Sequence, residues 1–146
     1  MLETKVGTPL GVADVEARLA CTDLINSFGR LVDSGQAGKA VELFTEAGVL
    51  VSPGQVIRGR EELAKAFAAR EADADRRTVH QVTNVVFEAV GPETARAQSI
   101  VCLYVLGRPG ELTPRALSRF DDEFERGEDG RWRFSRRTAA PLAGGR

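Results

Sequence analysis

Arg77-Thr78-Val79-His80-Gln81-Val82-Thr83-Asn84-Val85-Val86-Phe87 decides how this chain folds. Most of the stretch is β-branched or aromatic, the residue types that suit a pleated, half-buried surface, so the reading is a strand. It carries the sole histidine of the chain. Side chains alternate along a strand, which sets His80 on one face with Thr78, Val82, Asn84 and Val86, and sets Val79, Gln81, Thr83, Val85 and Phe87 on the other.

Outward from that strand, Gly91-Pro92-Glu93 reads as a turn, and Thr94 to Leu106 as a returning strand. A loop from Gly107 to Pro114 leads to a third long strand, Arg115 to Arg126, and Glu128-Asp129-Gly130 turns into a last one, Trp132 to Thr138. Strands of about a dozen residues exceed the usual five or six and are expected to bend. Upstream, Cys21, Leu24, Ile25, Phe28, Leu31 and Val32 form one stripe of a helix from Val12 to Ser34, with Gly35 placed for a left-handed cap. Asp33 lies off that stripe, beside Thr22, Asn26 and Gly29, where the helix dipole disfavours an anion and a positive partner or solvent must compensate. A short helix over Ala37–Phe44, a hairpin around Pro53-Gly54 and a third helix over Arg60–Arg70 complete the N-terminal half. Helices first and a meander of strands afterwards predict an α+β fold: a cone-shaped, curved antiparallel sheet with three helices on its concave face and a cavity between them. The domain is expected over residues 12–138, with 1–11 a flexible lead-in and 139–146 a flexible tail.

With 146 residues the chain is long enough for one self-sufficient core, so it needs neither disulfide nor metal to fold. A net charge of −1, with both signs interspersed, offers no field for nucleic acid or an anionic membrane. Arg76, Arg77, Arg131, Arg133, Arg136 and Arg137 read as residues of solvated strand faces. Cys21 and Cys102 belong to no metal or redox motif and read as reduced, buried thiols. Met1 to Leu10 lacks the apolar core of a signal peptide, and no apolar run approaches a membrane span, so a cytoplasmic location is expected.

No P-loop, dinucleotide fingerprint, GxSxG or HExxH motif is present. What remains is Asp33, His80, Asn84 and an acid from Asp121 or Asp122. Histidine can remove or return a proton near neutrality, and a carboxylate can fix its tautomer and stabilise imidazolium. A strand histidine also serves as a hydrogen-bonded structural residue. Asp122 shares a face with Phe120 and Phe124 and is the preferred buried acid, although a salt bridge to Arg136 or Arg137 explains it equally. Phe28, Phe44, Phe67, Phe87 and Trp132 read as core or pocket wall and Phe120 as a further candidate contact, while the parity of Tyr104 leaves its side of the sheet open.

Leu31-Val32-Asp33-Ser34-Gly35, Ala40-Val41-Glu42-Leu43-Phe44, Arg58-Gly59-Arg60-Glu61-Glu62-Leu63, the His80 stretch and Asp129-Gly130-Arg131-Trp132-Arg133-Phe134 together resemble a SnoaL-like domain of the nuclear-transport-factor-two-like superfamily. The resemblance implies a cone-shaped α+β barrel with an apolar pocket, usually paired as a homodimer. Its dehydratase branch has an aspartate at the end of the first helix and a histidine in the long strand, matched here by Asp33 and His80. Val32 stands where scytalone dehydratase has a tyrosine, and no second histidine is present. The resemblance therefore implies a cofactor-free, metal-free dehydratase, isomerase or cyclase acting on a hydrophobic cyclic carbonyl or polyketide-type molecule. In that reading His80 and Asp33 carry the acid/base chemistry, and Asn84, Asp122, Phe28, Phe120, Tyr104 and Trp132 contact the substrate. The alternative is a non-catalytic partner module like the small subunit of ring-hydroxylating dioxygenases.

Overall fold

The computed structural model describes residues 10–144. Helix α1 (Val12–Asp33) buries Ala17, Cys21, Ile25, Phe28 and Val32 along one stripe. It ends as its sequence requires: Gly35 adopts φ 78°, and the N–H groups of Gly35 and Gln36 return to the carbonyls of Val32 and Leu31. The next turn, Ala37–Leu43, is a 3₁₀ helix. Strands β1 (Phe44–Ser52) and β2 (Gln55–Arg58) form the hairpin, and α2 (Gly59–Ala72) buries Leu63 and Phe67. Four long strands follow: β3 (Thr78–Val90), β4 (Thr94–Leu106), β5 (Leu112–Arg126) and β6 (Trp132–Gly144).

The six strands make one curved sheet in the order β2-β1-β6-β5-β4-β3, with the helices on its concave side. Two features differ from the expected antiparallel cone. β1 pairs with β6 in parallel, so the sheet is mixed, and it stays open at β2 and β3 instead of closing. A parallel neighbour needs a long crossover, here supplied by α2 and the three-strand meander. β6 also continues past residue 138 to Gly144, pairing with β5 out to Ala116, so the stretch read as a flexible tail is mostly strand. The lead-in assigned to residues 1–11 lies, except for Leu10 and Gly11, outside the described residues, as do residues 145 and 146.

The core is aromatic, with Phe28, Phe44, Phe67, Phe124 and Phe134 packed between helices and sheet. One charged pair sits among them. Arg137 and Asp122 are 1% and 2% exposed, with Nε 3.1 Å from Oδ1, and the guanidinium lies over the rings of Phe28, Phe120 and Phe134 at 4.4–4.9 Å. Arg137 thus leaves the solvated face where sequence reading put it, because three ring faces and a carboxylate replace its water. Cys21 is buried and Cys102 only half-buried; both are free thiols. Among the described residues no helix is long and apolar enough to cross a membrane.

Candidate active site

Asp33 and His80 come together where the end of α1 crosses β3. Asp33 Oδ1 is 2.6 Å from His80 Nδ1, and its Oδ2 accepts the backbone N–H of His80 at 2.7 Å. The hydroxyl of Thr78, buried two residues before, donates to Oδ1 at 2.8 Å. Burial alone would raise the Asp33 carboxyl, but the hydrogen bonds from His80, its charge and the Thr78 hydroxyl together hold it below the usual carboxylate range. An ionised carboxylate only accepts, so the proton between the two groups is assigned to Nδ1. Nε2 then carries the free lone pair, and among the described residues no protein group bonds it. These donors also offset the unfavourable position of an anion at a helix C-terminus.

The approach of helix and strand depends on Gly29, which is buried in α1 directly over His80. A Cβ at this position would lie 2.9 Å from the Cβ of His80 and 3.6 Å from Cγ, so glycine is what lets the strand come this near. Alanine is ordinarily the better helix residue by about 1 kcal/mol. Gly29→Ala is nevertheless expected to lower the melting temperature and to shift the His80 ring resonances, because backbone or imidazole must move. A melt that rises, as for an ordinary helical glycine, would show that the contact yields freely.

His80 and Thr78 face a cavity of about 540 Å³ between α1, α2 and the sheet, walled by apolar groups such as Phe28, Val32, Phe67 and Phe120. Gln55, Arg70, Asp73 and Arg76 add polar groups to its lining. Asp33 stands on the other side of the imidazole, bordering an open groove of about 530 Å³ with Asn26, Arg30 and Ser34. His80 thus borders both hollows, the apolar-walled one shared with Thr78 and the groove shared with Asp33, and both are open to solvent.

The other residues named from sequence separate into two groups. Phe28 and Phe120 line the cavity. Asn84, Tyr104, Trp132 and Asp122 do not. Asn84 is exposed with φ 53° at a β-bulge, where Asn84 and Val85 together oppose one residue of β4. The bulge uses one residue and reverses the parity as far as a second register shift between Phe87 and Ala89, so Val85 and Phe87, which simple alternation set on the face opposite His80, pack against the core. Tyr104 pairs with Val79, on the outer face of the sheet. Trp132 lines two surface hollows at the far end, away from His80. Asp122 faces inward and is buried against Arg137, whereas Asp121 turns outward to Arg119 at 3.1 Å. Sequence reasoning did not single out Thr78, Arg70 or Gly29, and named Arg137 only as one of two alternative salt-bridge partners of Asp122, the one the structure shows. Only Thr78 carried a usable signal, its shared parity with His80.

With this geometry in hand, comparison with other proteins gives one family. A family model described as a SnoaL-like domain matches residues 13–138. No curated protein matches. Among solved structures, a Novosphingobium aromaticivorans NTF2-like protein with a cystatin-like fold is 27% identical, covering 89% of this chain and 84% of its own, with a TM-score of 0.78. Two more from that organism show the fold alone. A provisionally assigned scytalone dehydratase is 17% identical, with coverage of 90% and 87% and a TM-score of 0.76. The β subunit of a provisionally assigned aromatic-ring-hydroxylating dioxygenase is 19% identical, with coverage of 91% and 93% and a TM-score of 0.75.

Proposed function

The chain belongs to the SnoaL-like family, and from that premise we propose that it is a cofactor-free acid/base enzyme acting on a hydrophobic, ring-bearing carbonyl compound. One observation carries the reading: an imidazole fixed by a carboxylate at 2.6 Å lines an apolar-walled cavity, and among the described residues its other nitrogen has no protein partner. In a dehydration, Nε2 of His80 takes the proton from the carbon next to the carbonyl. The C–H electron pair becomes the new double bond as the C–O bond to the β-hydroxyl breaks, and the imidazolium returns its proton to the departing oxygen as water. Asp33 holds the tautomer that presents the lone pair and stabilises the imidazolium between the two transfers. The same groups serve an isomerisation, in which the proton returns to carbon. Phe28 and Phe120 supply flat apolar walls for the ring.

The test is incubation with a panel of cyclic β-hydroxy ketones without added cofactor, read by mass spectrometry for loss of water. Conversion above the uncatalysed rate supports the reading. No conversion of any member, together with stable association with an oxygenase-type partner, would favour a non-catalytic partner module. An open cavity bordered by His80 favours the enzyme, since among the described residues no segment fills it.

The working unit is a two-fold homodimer paired through the outer face of the sheet. Val79 and Leu117, each 39% exposed, are candidate contacts there. Sedimentation at micromolar concentration is expected to give a dimer; a monomer at every concentration would remove this part of the proposal.

A further inference from the structure

We propose that Thr78 and Arg70 act as a positioning relay behind the His80–Asp33 pair, in which the guanidinium dictates where the threonine hydroxyl points its proton and so locks the carboxylate that orients the imidazole. The inference rests on the acid/base reading of His80 and deepens it.

The argument is one of counting protons. A threonine hydroxyl has one proton to donate and lone pairs to accept with, whereas a guanidinium can only donate. Arg70 Nη2 lies 3.1 Å from Thr78 Oγ1 and must be the donor in that contact. The threonine proton is then directed to Asp33 Oδ1, 2.8 Å away. Asp33 in turn accepts from three groups: Thr78, the ring N–H of His80 and the backbone N–H of His80. Those three fix the carboxylate plane and favour its ionised form.

Arg70 is itself held from behind. Its Nη2 also donates to the carbonyl of Arg76 at 2.9 Å, and its Nη1 reaches the carbonyl of Asp73 at 3.4 Å. It stands in the last turn of α2, where a cation is favoured by the helix dipole. The relay therefore ties three elements together: α2 through Arg70, β3 through Thr78 and His80, and α1 through Asp33. Thr78 is only 4% exposed, so water does not readily replace either partner. With valine at this position the shape is kept, but Arg70 and Asp33 each lose a partner, and only the two N–H groups of His80 still hold the carboxylate.

The experiment uses substrate-free protein, following the Asp33 carboxyl by carbon NMR titration and the His80 ring nitrogens by nitrogen NMR. Thr78→Val is expected to move the Asp33 titration upward and to mix the two imidazole tautomers. Thr78→Ser, which keeps the hydroxyl, is expected to behave as wild type, and Arg70→Met to move Asp33 in the same direction as Thr78→Val but by less. Where a substrate is turned over, Thr78→Val should lower kcat about tenfold, the size of one charge-assisted hydrogen bond, with KM little changed. A Thr78→Val titration that overlies wild type overturns the relay. Should that variant fail to fold, Arg70→Met decides, and an unmoved Asp33 titration there is equally fatal. Because the NMR readouts need no substrate, an intact relay in a protein that converts nothing would count against the enzyme reading alone.

Discussion

Asp122→Ala is expected to cost about 3–5 kcal/mol of folding stability, the range for removing one partner of a buried ion pair. In a domain of this size that is a fall in melting temperature of roughly 10 °C. The substitution removes the counter-charge of Arg137 and leaves a void beside it, while the guanidinium stays locked between Phe28, Phe120 and Phe134. Replacing both members, as in Asp122→Leu with Arg137→Met, is expected to recover most of the loss, since neither charge then has to be desolvated. Thermal melts of the two single variants and the double variant form the cycle; additive losses would mean that the pair does not couple.

The same pair has a pH signature. Burial pushes the Asp122 carboxyl up to about 6, against the opposing charge of Arg137. The folded value therefore lies above that of the unfolded chain, near 4, so the folded protein holds a proton that the unfolded one releases. Between about pH 4 and pH 6 this site gains stability as pH falls, the reverse of an ordinary salt-bridged carboxylate. Melts of wild type against Asp122→Asn across that window isolate the effect. A difference that does not vary with pH would refute it.

His80→Ala is expected to lower turnover of an accepted ring ketone by about 10²–10⁴-fold, the usual contribution of a general acid/base group. His80→Gln separates chemistry from packing, because it can still donate to Asp33 but cannot take up a proton. Both variants should keep a cooperative melt, since the imidazole lies at a cavity wall and not in the aromatic core. Turnover within tenfold of wild type in either variant would remove His80 from the reaction. A loss that tracks unfolding would make the dyad a structural contact.

Much of this could be read from residue order. The stripe Cys21-Ile25-Phe28-Val32 and the glycine after it specify α1 and its end, and β4 runs over the residues its alternation suggested. The meeting of Asp33 and His80 was legible because one is displaced from the buried stripe and the other is a lone titratable group in a strand. What escaped was non-local. Nothing in β1 states that it will pair in parallel with β6, some 90 positions on by register. The sheet side of Tyr104 depends on its pairing with Val79, which the sequence of β4 alone does not contain. Arg137 could be named as one of two salt-bridge partners for Asp122, but nothing in its basic run states that three aromatic rings from two other elements and its own strand close around it.

The bulge at Asn84 has a consequence for comparing sequences. Asn84 and Val85 share one pairing position, so Asn84 behaves as an inserted letter, and the inward series Thr78, His80, Val82, Val85, Phe87 is a regular alternation once it is struck out. A relative lacking that letter would keep the same residues on the same faces and would lose only the bend that a bulge adds. Gaps at this column therefore report the curvature of the sheet over the cavity, and an alignment that slides Asn84 into register to avoid a gap would pair the wrong halves of the strand.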